Sequence, residues 1–162
     1  MKILLTLAYT LVVLFPIPEA VGETVRKAYL DEQKNVHVIT ASGKDQKLTH
    51  KGNADLLRLA PDNRTIGWLV PNTWTAPGDD GPQSEELVIY RDGKRATIKC
   101  GLFIRNYWFW KHGAQVAIDC GGRHFAGREI LYDTRTMKEV ASLDQAKVPL
   151  EKRPDWAVGD DL

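Results

Sequence analysis

The sequence predicts an all-β protein built from antiparallel, four-stranded, blade-like sheets. Three observations carry that expectation. Short apolar or alternating runs are separated by turn residues every eight to twelve positions. A related pattern returns after a shift of fifty residues without gaps. Beyond the N-terminal leader, no segment has a convincing helical period.

Taken in order, the elements read as follows. A strand precedes Val36, and Val36-His37-Val38-Ile39-Thr40 alternates before Ser42-Gly43-Lys44 turns it into a further strand. A strand near Leu56 leads to Pro61-Asp62-Asn63, a turn in which proline presets φ and asparagine tolerates positive φ. Thr65 to Val70 follows. Leu87 to Arg91 and Arg95 to Lys99 flank Asp92-Gly93, a pair suited to a type I′ hairpin turn. Tyr107 to Trp110 and Val116 to Asp119 flank Lys111-His112-Gly113, and Glu129 to Asp133 and Glu139 to Leu143 flank Thr134 to Lys138. The count is about eleven strands.

Under the fifty-residue shift, Ile39 to Lys44 falls on Ile89 to Lys94, Leu59 to Asn63 on Phe109 to Gly113, and Thr65 to Trp68 on Gln115 to Ile118. A further echo of Val88 to Lys94 lies at Ile130 to Lys138. The unit Gly43-Lys44, Leu48-Thr49, Gly52 and then Leu59-Ala60-Pro61-Asp62-Asn63-Arg64-Thr65-Ile66 resembles the TolB-type β-propeller repeat. Ala60 and Asn63 replace that motif's serine and glycine, and the second copy keeps only Gly113. Tyr132 to Lys138 resembles the outer-strand turn of propeller blades, with Met137 in place of glycine. The resemblance spans roughly residues 36–143 and implies blade architecture rather than a chemistry. Four strands make a blade and propellers use at least four blades, so eleven strands imply an incomplete propeller or a small β-sandwich. Exposed sheet edges are then expected to be covered by the chain's own tails or by another chain.

The organisation expected is a signal peptide over 1–20, a β-repeat domain over 21–146 and a C-terminal tail over 147–162. Lys2 precedes a 13-residue apolar run that Pro16, Pro18 and Glu19 end, short of a bilayer span. Cleavage after Ala20 or Gly22 fits the small residues there; the alternative is an uncleaved anchor. The tail, with Pro149 and Pro154, reads as a linker or frayed end on which Trp156 alone suggests docking. Export to the periplasm or medium places Cys100 and Cys120, the chain's two cysteines, in an oxidising compartment. One disulfide is the simplest pairing, and two buried thiols facing apart the alternative.

The charge balance, 22 Lys+Arg against 21 Asp+Glu, argues against a broad nucleic-acid surface. With 43% hydrophobic residues the chain is not disordered. His37, His50, His112 and His124 lack zinc-helix spacing, and Ser42, Ser84 and Ser142 lie in no G-x-S-x-G elbow. No catalytic residue, metal or cofactor is therefore expected. The candidates for a binding surface are aromatic and basic. Trp74 lies in the long strand-free stretch from Pro71 to Glu85. Trp108 and Trp110 share one face of the run Tyr107 to Trp110, whose two bulky faces suit an inner strand sandwiched between neighbouring sheets. Arg123 and His124 lie in the glycine-flanked loop Gly121 to Arg128. Function is expected to be non-enzymatic: an exported protein that binds a protein partner or self-associates, with no nucleic acid and no stable membrane insertion once the leader is removed. A small β-sandwich that inhibits or escorts an envelope hydrolase is the alternative, and a glycan-acting hydrolase with a carboxylate pair is the third.

Overall fold

The computed structural model describes residues 23–72, 83–122 and 124–159. The leader, Trp74 and Arg123 lie outside the described residues. The described residues are all-β, with eleven strands in three antiparallel sheets, none of them closed into a barrel. Sheet 1 contains β1 (Val25–Leu30), β2 (Val36–Thr40) and β3 (Asp45–Lys47). Sheet 2 is the meander β4 (Asp55–Leu59), β5 (Thr65–Pro71), β6 (Ser84–Arg91) and β7 (Lys94–Lys99). Sheet 3 is the meander β8 (Phe103–Trp110), β9 (Gln115–Gly121), β10 (Arg128–Asp133) and β11 (Glu139–Asp144).

Side-chain alternation stacks these sheets face to face. Along β5, Ile66 and Trp68 point to one side and join Val25, Val36, Val38 and Leu48 in a core shared with sheet 1. Leu69 points to the other side and, with Leu87, Ile89 and Ile98, joins Ile104, Tyr107, Val116, Ile118 and Ile130 of sheet 3. Sheet 2 is thus buried on both faces, which is why β5 carries an unbroken buried run from Thr65 to Leu69.

Carboxylates shape several of the turns. Asp62 accepts the backbone amides of Arg64 (2.9 Å) and Thr65 (2.8 Å), closing the β4–β5 turn with Asn63 at φ 52°. Asp133 does the same for Arg135 (3.0 Å) and Thr136 (2.8 Å) between β10 and β11. Asp92 and Gly93, at φ 49° and 79°, turn β6 into β7 as the hairpin signal requires. Residues 39–44 and 89–94, fifty apart, both fall on the last hairpin of their sheets, β2–β3 and β6–β7.

The aromatic run differs from the expected sandwiched strand. It forms β8, the edge of sheet 3, and only its Tyr107 side faces another sheet. The Trp108 side is covered by the C-terminal segment instead. Trp108, 4% exposed, clusters with Ala117, Leu131, Trp110 and Trp156, and its indole N–H donates to the Trp156 carbonyl at 2.8 Å. Two short 3-10 turns, Leu150–Lys152 and Asp155–Ala157, carry that segment across the sheet. The physical reason is that, among the described residues, no further sheet packs on this side of sheet 3, so the segment from Leu150 to Ala157 covers the apolar face.

Most sheet edges are blunted rather than paired. The pairings of β1, β4, β8 and β11 each contain a register shift, β3 has only three residues, and β7 carries Lys94, Arg95 and Lys99. Bulges, shortness and lysines are standard defences against strand-to-strand addition.

Candidate functional site

Where the β7–β8 and β9–β10 connections meet, sheets 2 and 3 leave a cleft of about 410 Å³. Asp55, Leu69 and Ser84 line it from sheet 2, and Phe103, Arg105 and Gly122 from sheet 3. The Cys100–Cys120 disulfide joins the connection before β8 to the end of β9 beside it, with an S–S distance of 2.09 Å and a Cα–Cα distance of 6.1 Å. The expected pairing is the one present.

Arg105 organises this end. It forms a two-pronged ion pair with Asp119, through Nε to Oδ2 at 3.0 Å and Nη2 to Oδ1 at 2.5 Å. Its Nη1 donates to the carbonyls of Gly122 (3.1 Å) and Phe125 (3.3 Å), and its Nη2 to Gln145 Oε1 (2.7 Å). One guanidinium therefore ties β8, β9, the β9–β10 loop and the start of the tail together. The glycines of that loop serve close packing, not flexibility. A Cβ on Gly121 would stand 2.8 Å from the Arg105 guanidinium, and one on Gly122 would enter the Phe125 ring.

Behind Arg105 lies a buried carboxylate. Glu129 is 4% exposed and stands opposite Asp119 in the β9–β10 register. Gln145 bridges the two, its amide donating to Glu129 Oε1 at 2.6 Å and to Asp119 Oδ1 at 2.9 Å. Arg153 Nη1 lies 3.9 Å from Glu129. Burial pushes the Glu129 carboxyl up to about 7, the Gln145 hydrogen bond opposes that, the Asp119 charge adds to it, and Arg153 and Arg105 oppose it.

Of the residues singled out from sequence, those among the described residues are not gathered at one place. His124 is exposed in the β9–β10 connection, at the cleft end. Trp108 and Trp110 lie on the outer face of sheet 3 under the tail. Leu102 (44% exposed) and Phe125 (57% exposed) are apolar side chains at the cleft end; Phe125 belongs to the glycine-flanked loop singled out from sequence, and Leu102 does not. The polar side chains of Arg105, Asp119, Glu129 and Gln145 also meet at this end without a signal in the sequence. In one dimension they are ordinary strand and turn residues, and only pairing of β8, β9 and β10 brings them together. Among the described residues, no three His, Cys, Asp or Glu side chains are placed to share a metal ion. No helix among them is long and apolar enough to cross a membrane. Neither the known protein-family models nor the curated proteins give a match to the chain.

Proposed function

We propose that this chain is an exported, non-enzymatic binding protein that holds a protein partner at the cleft end of its propeller-like blades. The observation that carries the reading is the exposure of Phe125 and Leu102 beside a cleft whose backbone is fixed by a disulfide and by Arg105. Aromatic side chains on a rigid frame make good interface anchors because little conformational entropy is lost when they are covered. The disulfide supports an oxidising compartment and so favours export. The blunted edges favour recognition through this end over strand addition.

The test is comparative capture from envelope extract with the mature chain and its Phe125→Asp/Leu102→Asp variant. The expected result is a protein retained by the wild type and lost by the variant, at equal thermal stability of the two. Retention of the same proteins by both would overturn the reading. Light scattering over a concentration series separates a foreign partner from a second copy, and N-terminal sequencing of the exported protein checks cleavage after Ala20 or Gly22.

A further inference from the structure

A second cleft, of about 810 Å³, opens between the β6–β7 hairpin and the β10–β11 turn. Its wall carries Arg64, Arg91, Lys94, Arg95 and Arg135 against a single carboxylate, Asp92. We propose that this cleft is an anion site that takes ligands through phosphate or sulfate groups.

The cations are of two kinds. Arg91 is fixed by Asp62 Oδ2 at 2.6 Å and by the Thr65 hydroxyl, with its Nε 3.7 Å from Asp92 Oδ2. Arg64 Nη2 is 3.0 Å from Asp92 Oδ1. Arg95 borders the cleft, but its guanidinium turns to the opposite face of sheet 2, where it lies over the Trp68 ring, 5.8 Å from its centroid, and donates to the Leu48 carbonyl. The Arg64 and Arg91 guanidiniums are therefore held in place before any ligand arrives. Lys94 and Arg135 differ: they are exposed at the tips of the two turns, and neither is ion-paired with a carboxylate among the described residues.

The nearby acids are already engaged. Asp62 accepts two backbone amides, the Thr65 hydroxyl and Arg91. Asp133 caps its own turn through Arg135 and Thr136. With Arg64, Arg91, Lys94 and Arg135 counted against Asp62, Asp92 and Asp133, this face still holds an excess of one cation, and Lys94 and Arg135 stand one on each of its two turns. Phosphate and sulfate suit the arrangement because each offers three or more oxygens that donors from two turns can share, and guanidiniums meet oxyanions with paired N–H groups. A single carboxylate has too few oxygens to engage both walls. The attraction is local, since charges beyond about 8 Å are screened at physiological salt.

Calorimetric titration with inorganic tripolyphosphate tests the site, alongside flotation with phosphatidylglycerol and phosphatidylcholine vesicles. The variant is Lys94→Glu/Arg135→Glu, chosen because both side chains are exposed and outside the ion-pair frame. Thermal unfolding and tripolyphosphate binding by Lys94→Arg/Arg135→Lys serve as controls. The expected result is tripolyphosphate binding that weakens about tenfold per cation reversed, with the conservative variant retaining it. Binding confined to phosphatidylglycerol vesicles, and lost in the charge-reversed variant, assigns the same chemistry to a lipid headgroup. No binding of either probe, or binding unchanged in the charge-reversed variant, overturns the proposal. Because the cleft lies away from Phe125 and Leu102, the Phe125→Asp/Leu102→Asp variant is expected to bind tripolyphosphate normally.

Discussion

The phenol of Tyr107, projecting from sheet 3, occupies the space in which a side chain at residue 67 of sheet 2 would stand. A Cβ built on Gly67 would lie 2.8 Å from Tyr107 Cε2. The hydroxyl, fully buried, donates towards the carbonyls of Gly67 at 2.5 Å and Leu56 at 2.8 Å. Burial raises the phenol far above its ordinary range, so it remains a donor. Gly67→Ala is expected to destabilise the fold by about 1–3 kcal/mol through overpacking. Tyr107→Phe, which leaves buried carbonyls without their donor, should cost about 1–3 kcal/mol. Urea unfolding measures both; a neutral Gly67→Ala would mean the sheets separate freely at this point.

The Cys100–Cys120 bond closes a loop of 20 residues beside the cleft. In the chain-entropy account such a loop contributes about 3 kcal/mol. Reduction, or Cys100→Ala/Cys120→Ala, is expected to lower the unfolding free energy by that order. The oxidised protein should weigh two hydrogens less than its reduced form. Free thiols that react without reductant in the exported protein would sink the pairing.

Strand positions were legible because each strand announces its buried face locally. Val36 and Val38 alternate with less buried neighbours, and Asp92-Gly93 signals its turn from two residues. The stacking order was not legible. Ile66 and Leu69 look alike in sequence, yet they face different sheets. The cleft end was read only in part. His124 lies there, but the Arg105–Asp119 pair is set by strand register, which has no one-dimensional signature. Trp108 was legible as a buried aromatic and Trp156 as a docking residue, but not that the one covers the other, since they stand 48 residues apart and the tail has no period.

That cover yields a separate expectation. Trp156 packs on Trp108, Leu131 and Ala117, and Ala157 behind it is 2% exposed. Trp156→Ala removes a half-buried aromatic and is expected to cost about 1–3 kcal/mol, less than loss of a fully buried one. Loss of the cover also exposes Trp108 to water, so native-state fluorescence should shift to the red. An unchanged spectrum and unchanged stability would show that the tail contributes nothing to the closure of sheet 3.

Glu129 makes the same closure sensitive to pH. Its carboxyl titrates near 7 in the folded chain, against an ordinary value of 4.5. A raised acid holds its proton in the folded state after the unfolded chain has released it. Stability therefore falls as pH rises from about 4.5 to about 7, and the cost of the buried charge persists above that window. Lowered acids such as Asp62, engaged by Thr65 and Arg91, act in the opposite sense and below pH 4, where their stabilisation is lost. The two limbs are thus separable. Glu129→Gln keeps an acceptor for Gln145 while removing the titration. It is expected to flatten the slope between pH 5 and 7 and to be more stable than the wild type at pH 8. Asp119→Asn, by removing the neighbouring charge that raises Glu129, should move the slope to lower pH. Urea midpoints at several pH values decide the matter. If the wild type and Glu129→Gln run parallel, the slope belongs to other groups and the tail is not held by this carboxyl.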